Sequence, residues 1–258
     1  MEFFDSHSHY NDESFDEDRN QIIQQTFDED VTRVMCIGYN IEKSIRAIEI
    51  AEKYEFIYAS CGISPNDIED YSEENLLKIE EMAKNEKIVA IGEIGLDYYW
   101  NKENKDKQKE LFIKQIDIAN KYNKPIIIHT REAVMDTISI LKEHPVKNTG
   151  IFHCCPLNQE LIKEGLKLGY YISFTGVITF KNAKPEEAVK MVPLDRILIE
   201  TDSPYMSPEP LRGTRNNSIN VKLVAQKMAD IKGIPIEDVA KATYNNANNV
   251  FRIKNKRT

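Results

Sequence analysis

The chain has 258 residues, 34 Lys+Arg against 42 Asp+Glu for a formal net charge of -8, and 41% hydrophobic residues, which is enough to fill one sizeable core. No apolar run approaches the roughly 18 residues needed to cross a bilayer, and the start, Met1-Glu2-Phe3-Phe4-Asp5, lacks a signal-peptide pattern, so a cytoplasmic protein is expected. The acidic balance argues against a broad basic surface that holds nucleic acid by counterion release, while leaving room for a polyanionic substrate bound through metal ions.

In chain order, short apolar runs alternate with longer amphipathic stretches. Strands are expected over 3–9, 32–39, 56–63, 88–96, 125–130, 149–154, 170–175 and 196–201. Runs such as Ile126-Ile127-Ile128 and Ile197-Leu198-Ile199 are continuous rather than alternating, as strands covered on both faces should be. Between the runs lie helical patterns, for instance 106–122, where Leu111, Phe112, Gln115, Ile116, Ile118 and Ala119 share one face. Eight strand and helix units in this length predict a (β/α)₈ TIM barrel, with a doubly wound open sheet as the competitor. No Gly/Ser linker marks a boundary, so 1–258 reads as a single domain. Loops are expected at 101–109 and 203–210, on the active-site face, and 236–253 reads as a final helix with Phe251 and Ile253 as anchors.

The chemistry gathers at strand ends. His7 and His9, two apart on the first strand, point to one side and can ligate one divalent ion, with Asp5 placed to orient a ring. His129 and His153 each end a later apolar run, whereas His144, in Glu143-His144-Pro145, falls on the opposite face. Glu93 is a carboxylate in an apolar strand end, where an unpaired charge is costly, and Asp202 closes the last strand. Six such ligands exceed one tetrahedral site and suit two divalent ions sharing a carboxylate, with zinc, manganese and magnesium all compatible. Cys36, Cys61, Cys154 and Cys155 show no CxxC spacing and read as free thiols.

These residues sit in stretches that resemble the TatD family of metal-dependent deoxyribonucleases, a branch of the amidohydrolase-type barrels. The carriers are DSHSH from Asp5, GEIGLDYY from Gly92, KPIIIHTREA from Lys124, FHC from Phe152, ETDSP from Glu200 and the stretch beginning RGTRNNS at Arg212. The resemblance implies one ion held by His7, His9, Glu93 and Asp202 and a second by Glu93, His129 and His153, with Glu93 as the bridge. Three segments depart from the family pattern. Gly62-Ile63-Ser64-Pro65-Asn66 stands where Gly-x-His-Pro-His is usual, His153-Cys154-Cys155-Pro156-Leu157 where His-Cys-Phe-Ser-Gly is usual, and Arg215-Asn216-Asn217-Ser218 where Arg-Asn-Glu-Pro is usual. All six ligands survive, and the departures fall on the expected substrate rim.

A metal-activated water with Asp202 and Glu93 as catalytic residues suits hydrolysis of a phosphodiester, and the resemblance implies 3'-5' exonuclease-like action on single-stranded DNA ends. Arg131 offers a planar fork suited to phosphate, Glu200 can position a ligand or water, and Ser64 and Tyr98 are candidate rim contacts. Tyr98, Tyr99 and Trp100 can stack on bases or plug the barrel top. No membrane association and no obligate protein partner are expected. The rival readings are a hydrolase of a small amide, lactone or phosphoester on the same scaffold, and a metal-stabilised binding protein without turnover.

Overall fold

A computed structural model describes residues 1–254, so the last four residues of the expected domain lie outside the described ones. Its strands are β1 (Phe3–Ser8), β2 (Val31–Ile37), β3 (Ile57–Cys61), β4 (Ile88–Asp97), β5 (Ile126–Arg131), β6 (Gly150–Phe152), β7 (Tyr171–Phe174) and β8 (Ile197–Ile199). They pair in sequence order, each parallel to the next. An open doubly wound sheet would reverse order partway, so that competitor falls. The seam between β1 and β8 is closed by a bridge at Ser8 and Ser203, by Asp202 N donating to His7 O at 2.9 Å, and by His9 N donating to Ser203 O at 2.7 Å.

Around the sheet lie α1 (Arg19–Asp28), α2 (Ile41–Lys53), α3 (Glu73–Met82), α4 (Lys105–Tyr122), α5 (Val134–Glu143), α6 (Gln159–Lys167), α7 (Glu186–Met191), α8 (Val221–Lys232) and α9 (Ile236–Val250). None is long and apolar enough to cross a membrane. Their apolar faces pack on outward strand residues such as Val34, Ile57, Ile91 and Ile128. A second cluster fills the barrel interior with Phe4, Met35, Ala90, Ile127, Ile151 and Leu198, and Val250, Phe251 and Ile253 close its lower end. Phe251 and Ile253 are therefore the anchors their position implied, and the Phe251 ring packs against that of Phe4, tilted by 33° with 5.8 Å between centres.

Two buried glutamines of α4 finish strands whose ladders run out. Gln115 accepts from Ile63 N at 2.7 Å and donates to Ile63 O at 2.9 Å. Gln108 accepts from Asp97 N at 2.8 Å and donates to Asp97 O at 3.1 Å and Asn101 O at 3.0 Å. A buried backbone group without a partner is expensive, so these amides fix both strand ends and the start of α4. That corrects the expected loop over 101–109: Gln108 draws the helix forward, the loop ends at Asn104, and Lys105, Lys107 and Lys109 belong to α4. Gly95 has φ +139, and a Cβ there would lie 2.1 Å from His129 O, so only glycine lets β4 approach β5 so closely beside that histidine.

Candidate metal centre

His7, His9, Glu93, His129, His153 and Asp202 converge at the C-terminal end of the barrel, although they come from β1, β4, β5 and the segments after β1, β6 and β8. The alternation of a regular strand does not by itself place them. The β1–β2 register shifts between Asp5 and Ser8, and the β4–β5 register shifts between Ile91 and Ile94, so each irregularity brackets one of the converging residues, His7 or Glu93. Such breaks re-aim side chains. Beyond the strands, Asp202 at φ 54 and Cys154 at φ 41 hold left-handed backbone outside glycine, with Asp202 fixed at its N–H and Cys154 N donating to Glu200 Oε1 at 2.6 Å.

Glu93 divides the cluster. Its Oε2 lies 3.4 Å from His7 Nε2, while its Oε1 lies 2.9 Å from His129 Nδ1 and 3.2 Å from His153 Nε2. On the first side, His7 Nε2 and His9 Nε2 are 3.2 Å apart, and Asp202 Oδ1 stands 3.6 Å and 3.4 Å from them. On the second, His129 Nδ1 and His153 Nε2 are 3.3 Å apart. Two donor atoms each about 2.1 Å from one tetrahedral ion lie roughly 3.4 Å apart, so both groups have the spacing of a ligand shell.

The hydrogen bonds on the outer ring nitrogens fix which lone pairs face inward. His9 Nδ1 donates to Ile37 O at 3.2 Å, leaving Nε2 toward Asp202. His129 Nε2 donates to Asp97 Oδ2 at 2.9 Å, leaving Nδ1 toward Glu93. Acceptors thus meet acceptors, an arrangement that needs either protons or cations between them. Burial pushes the Glu93 carboxyl up, but His153, His129 and His7 outweigh it and hold it well below its usual range. Asp202 is likewise held low, burial opposing and His9, His7 and His153 prevailing. Burial pulls His9, His129 and His153 down, yet Asp202, Glu93, Asp97 and Glu200 raise all three, whereas burial and His153 lower His7. The donor set fits divalent cations.

Opposite stability slopes follow. The raised histidines stabilise the cation-free fold fully below their unfolded value of 6.5, and that contribution is lost as pH rises through the folded values. Glu93 and Asp202, held low, contribute above the unfolded carboxylate range and lose that only in acid. In EDTA the melting temperature should fall over the interval above pH 6.5, the unfolded histidine value. With Mn²⁺ it should rise over the same interval, because protons and cations compete for the ring nitrogens. Parallel slopes in differential scanning fluorimetry would contradict cation binding at these histidines.

Among the expected rim residues, Arg131 and Ser64 line a cavity of about 470 Å³ above the cluster. Ser64 also caps a short helical turn, accepting from Asn66 N at 3.1 Å and donating to Asp67 Oδ2 at 2.8 Å. Tyr98 is corrected: it is only 8% exposed, donates to Asp136 Oδ2 at 2.7 Å and does not line the cavity, because the chain leaves the strand after Asp97. Glu200 is wholly buried behind His153, its Oε1 3.4 Å from His153 Nδ1, so it positions an imidazole rather than a substrate. Asp5 does not orient a ring. It accepts from Thr201 N at 2.9 Å and Thr201 Oγ1 at 2.6 Å, stitching β1 to the segment after β8, and burial pushes its carboxyl up to about 7.

The segment Arg215 to Ser218 is also no part of the cavity wall. Arg215 pairs with Asp18, and Asn216 donates to Thr201 O at 2.9 Å and Tyr205 O at 2.7 Å, bracing the loop that carries Asp202. The four cysteines are free.

The residue that motif reading passed over is Asp97. Its Oδ2 holds His129, and its Oδ1 accepts from Tyr99 N and Trp100 N, each at 2.9 Å. Its signal was a second carboxylate four residues beyond Glu93 in the same apolar strand end. Replacing Asp97 by Ala should weaken cation binding about 10- to 100-fold, the usual cost of losing a group that orients a ligand. Mn²⁺ calorimetry checks this, and unchanged affinity would remove Asp97 from the centre.

The family model described as TatD related DNase matches residues 4–252. This chain belongs to that family. It is 46% identical over 252 residues to the uncharacterized metal-dependent hydrolase YabD of Bacillus subtilis, covering 97% of this chain and 99% of the relative. It is 38% identical over 259 residues to the uncharacterized metal-dependent hydrolase YcfH of Escherichia coli, covering 98% and 97%. The crystal structure of YJJV, a TatD homologue from Escherichia coli, superposes with a TM-score of 0.93 at 27% identity, covering 98% of both chains. The TatD family member described here is accordingly a metal-dependent hydrolase with a TIM-barrel fold.

Proposed function

We propose that this chain is a two-metal deoxyribonuclease that removes nucleotides from single-stranded DNA in the 3'-5' direction. The observation that carries the reading is Glu93, whose two carboxylate oxygens face two separate donor groups. One ion, of zinc, manganese or magnesium type, would be held by His7, His9, Glu93 and Asp202, and the other by Glu93, His129 and His153. When bound, such cations polarise a phosphoryl oxygen and lower the pKa of water. Asp202, facing the cavity beside His9, takes the proton from the attacking water. Arg131 at the rim meets the phosphate with its planar fork.

Charge supports a phosphodiester in particular. The carboxylates of Glu93, Asp97, Glu200 and Asp202 offset two divalent cations, and of the two further charged residues lining the cavity, Arg131 and Asp67, Arg131 is the one that can meet an anion.

A second reading has its own support. Pro156, Leu157, Val177 and Met206 give the cavity an apolar wall, which suits a small ester or lactone. End-labelled single-stranded DNA with Mg²⁺, Mn²⁺ or Zn²⁺ separates the two. A ladder shortening from the 3' end, abolished by EDTA, is expected. Cleavage of small esters without cleavage of DNA would transfer the assignment to the second reading.

A further inference from the structure

Trp100, the single tryptophan of the chain, is 66% exposed and Tyr99 is 41% exposed. Lone exposed aromatics are ordinary, but these two are arranged. Their backbone N–H groups are both held by Asp97 Oδ1 at 2.9 Å. The next residue is pinned as well, since Asn101 Nδ2 donates to Pro65 O at 3.2 Å and Asn101 O accepts from Gln108. The rings meet edge to face, 4.8 Å between centres at 86°. The guanidinium of Arg131, which lines the cavity, lies 3.9 Å from the Tyr99 ring centre and 5.5 Å from that of Trp100. A largely exposed indole and a tyrosine ring covered on one face by a guanidinium thus stand at the rim of the hydrolytic cavity. Bases stack on such faces whatever their sequence, and a guanidinium alongside serves the adjoining phosphate.

We infer that Tyr99, Trp100 and Arg131 form a stacking platform for an unpaired nucleobase adjoining the scissile phosphodiester. The platform rests on the nuclease reading above and narrows its substrate to strands with accessible bases, since a base paired inside a duplex cannot offer its face. The same carboxylate, Asp97, holds the platform backbone and the His129 imidazole, so the docked base is registered against the metal centre.

The test compares (dT)₈ with an abasic strand of the same length, in the Mn²⁺-loaded full chain. The abasic strand should show a KM about tenfold higher, within what one stacked base contributes. Trp100→Leu and Tyr99→Leu should each shrink that ratio toward one. Binding is read separately from turnover: hydrolysis-resistant phosphorothioate (dT)₈ should quench the emission of the lone tryptophan, and the abasic phosphorothioate strand should not. Cleavage of both strands with equal KM and no quenching would overturn the platform while leaving the nuclease reading intact. Base-dependent quenching without cleavage of any strand would uphold the platform and remove the nuclease reading. Equal quenching by single strands and blunt duplex would overturn the preference for unpaired bases.

Discussion

Glu93→Gln should lower kcat/KM on single-stranded DNA by about 10³-fold or more, the loss of roughly 4 kcal/mol of transition-state stabilisation. The side chain keeps its shape, and the residue is almost wholly buried, so the loss does not come from an emptied volume. It comes from chemistry on two sides at once. Oε1 faces His129 and His153 while Oε2 faces His7. An amide offers one oxygen and one NH₂, so one of the two donor groups meets a hydrogen-bond donor where it needs an anion. That group loses its cation, and the other keeps a neutral, weaker ligand. Elemental analysis of protein loaded with Mn²⁺ should therefore drop from two equivalents to one or fewer. A Glu93→Gln protein that still holds two equivalents would show that the carboxylate does not bridge.

The barrel and its cluster of imidazoles and carboxylates were legible for a plain reason: continuous apolar runs specify buried parallel strands, and a charged or imidazole side chain at the end of such a run has few inexpensive places to go. Glu93, His129 and His153 were readable on that basis. The rest depends on geometry that periodicity does not carry. Strict alternation would leave His7 and Glu93 unplaced, because the register slips between Asp5 and Ser8 and again between Ile91 and Ile94. Asp5, one pleat from His7 on paper, turns to Thr201 because the β1–β8 seam lacks a regular ladder and its backbone groups need an acceptor. Tyr98 and Tyr99, expected to act alike, part for a similar reason. Past Asp97 the chain is no longer a strand, so one tyrosine reaches α5 and the other meets Arg131.

Asp202→Asn should behave differently from Glu93→Gln, and the contrast separates the proposed proton acceptor from the proposed bridge. Asp202 occupies left-handed backbone at φ 54, a conformation asparagine tolerates and alanine does not. Its N–H still donates to His7 O at 2.9 Å and its carbonyl still accepts from Tyr205 N at 2.9 Å, so the seam and the loop survive the change. The amide oxygen can remain beside His7 and His9, but it cannot take a proton. Loss of a positioned base lowers kcat by about 10²- to 10⁴-fold. KM should move far less than kcat, because Arg131 and the His129 side are untouched. A fall in kcat of less than about tenfold, with cation content retained, would reassign the base, since general-base losses are larger than that. The pH profile gives an independent check. Burial works against the Asp202 charge, but His9, His7 and His153 hold the carboxyl below its usual range, so it stays ionised through neutrality. Any loss of rate near pH 6 at limiting Mn²⁺ should therefore come from protons displacing cations at the histidines, and saturating Mn²⁺ should restore it in the native chain. The same excess of Mn²⁺ should restore nothing to Asp202→Asn, because that variant lacks the acceptor rather than the cation.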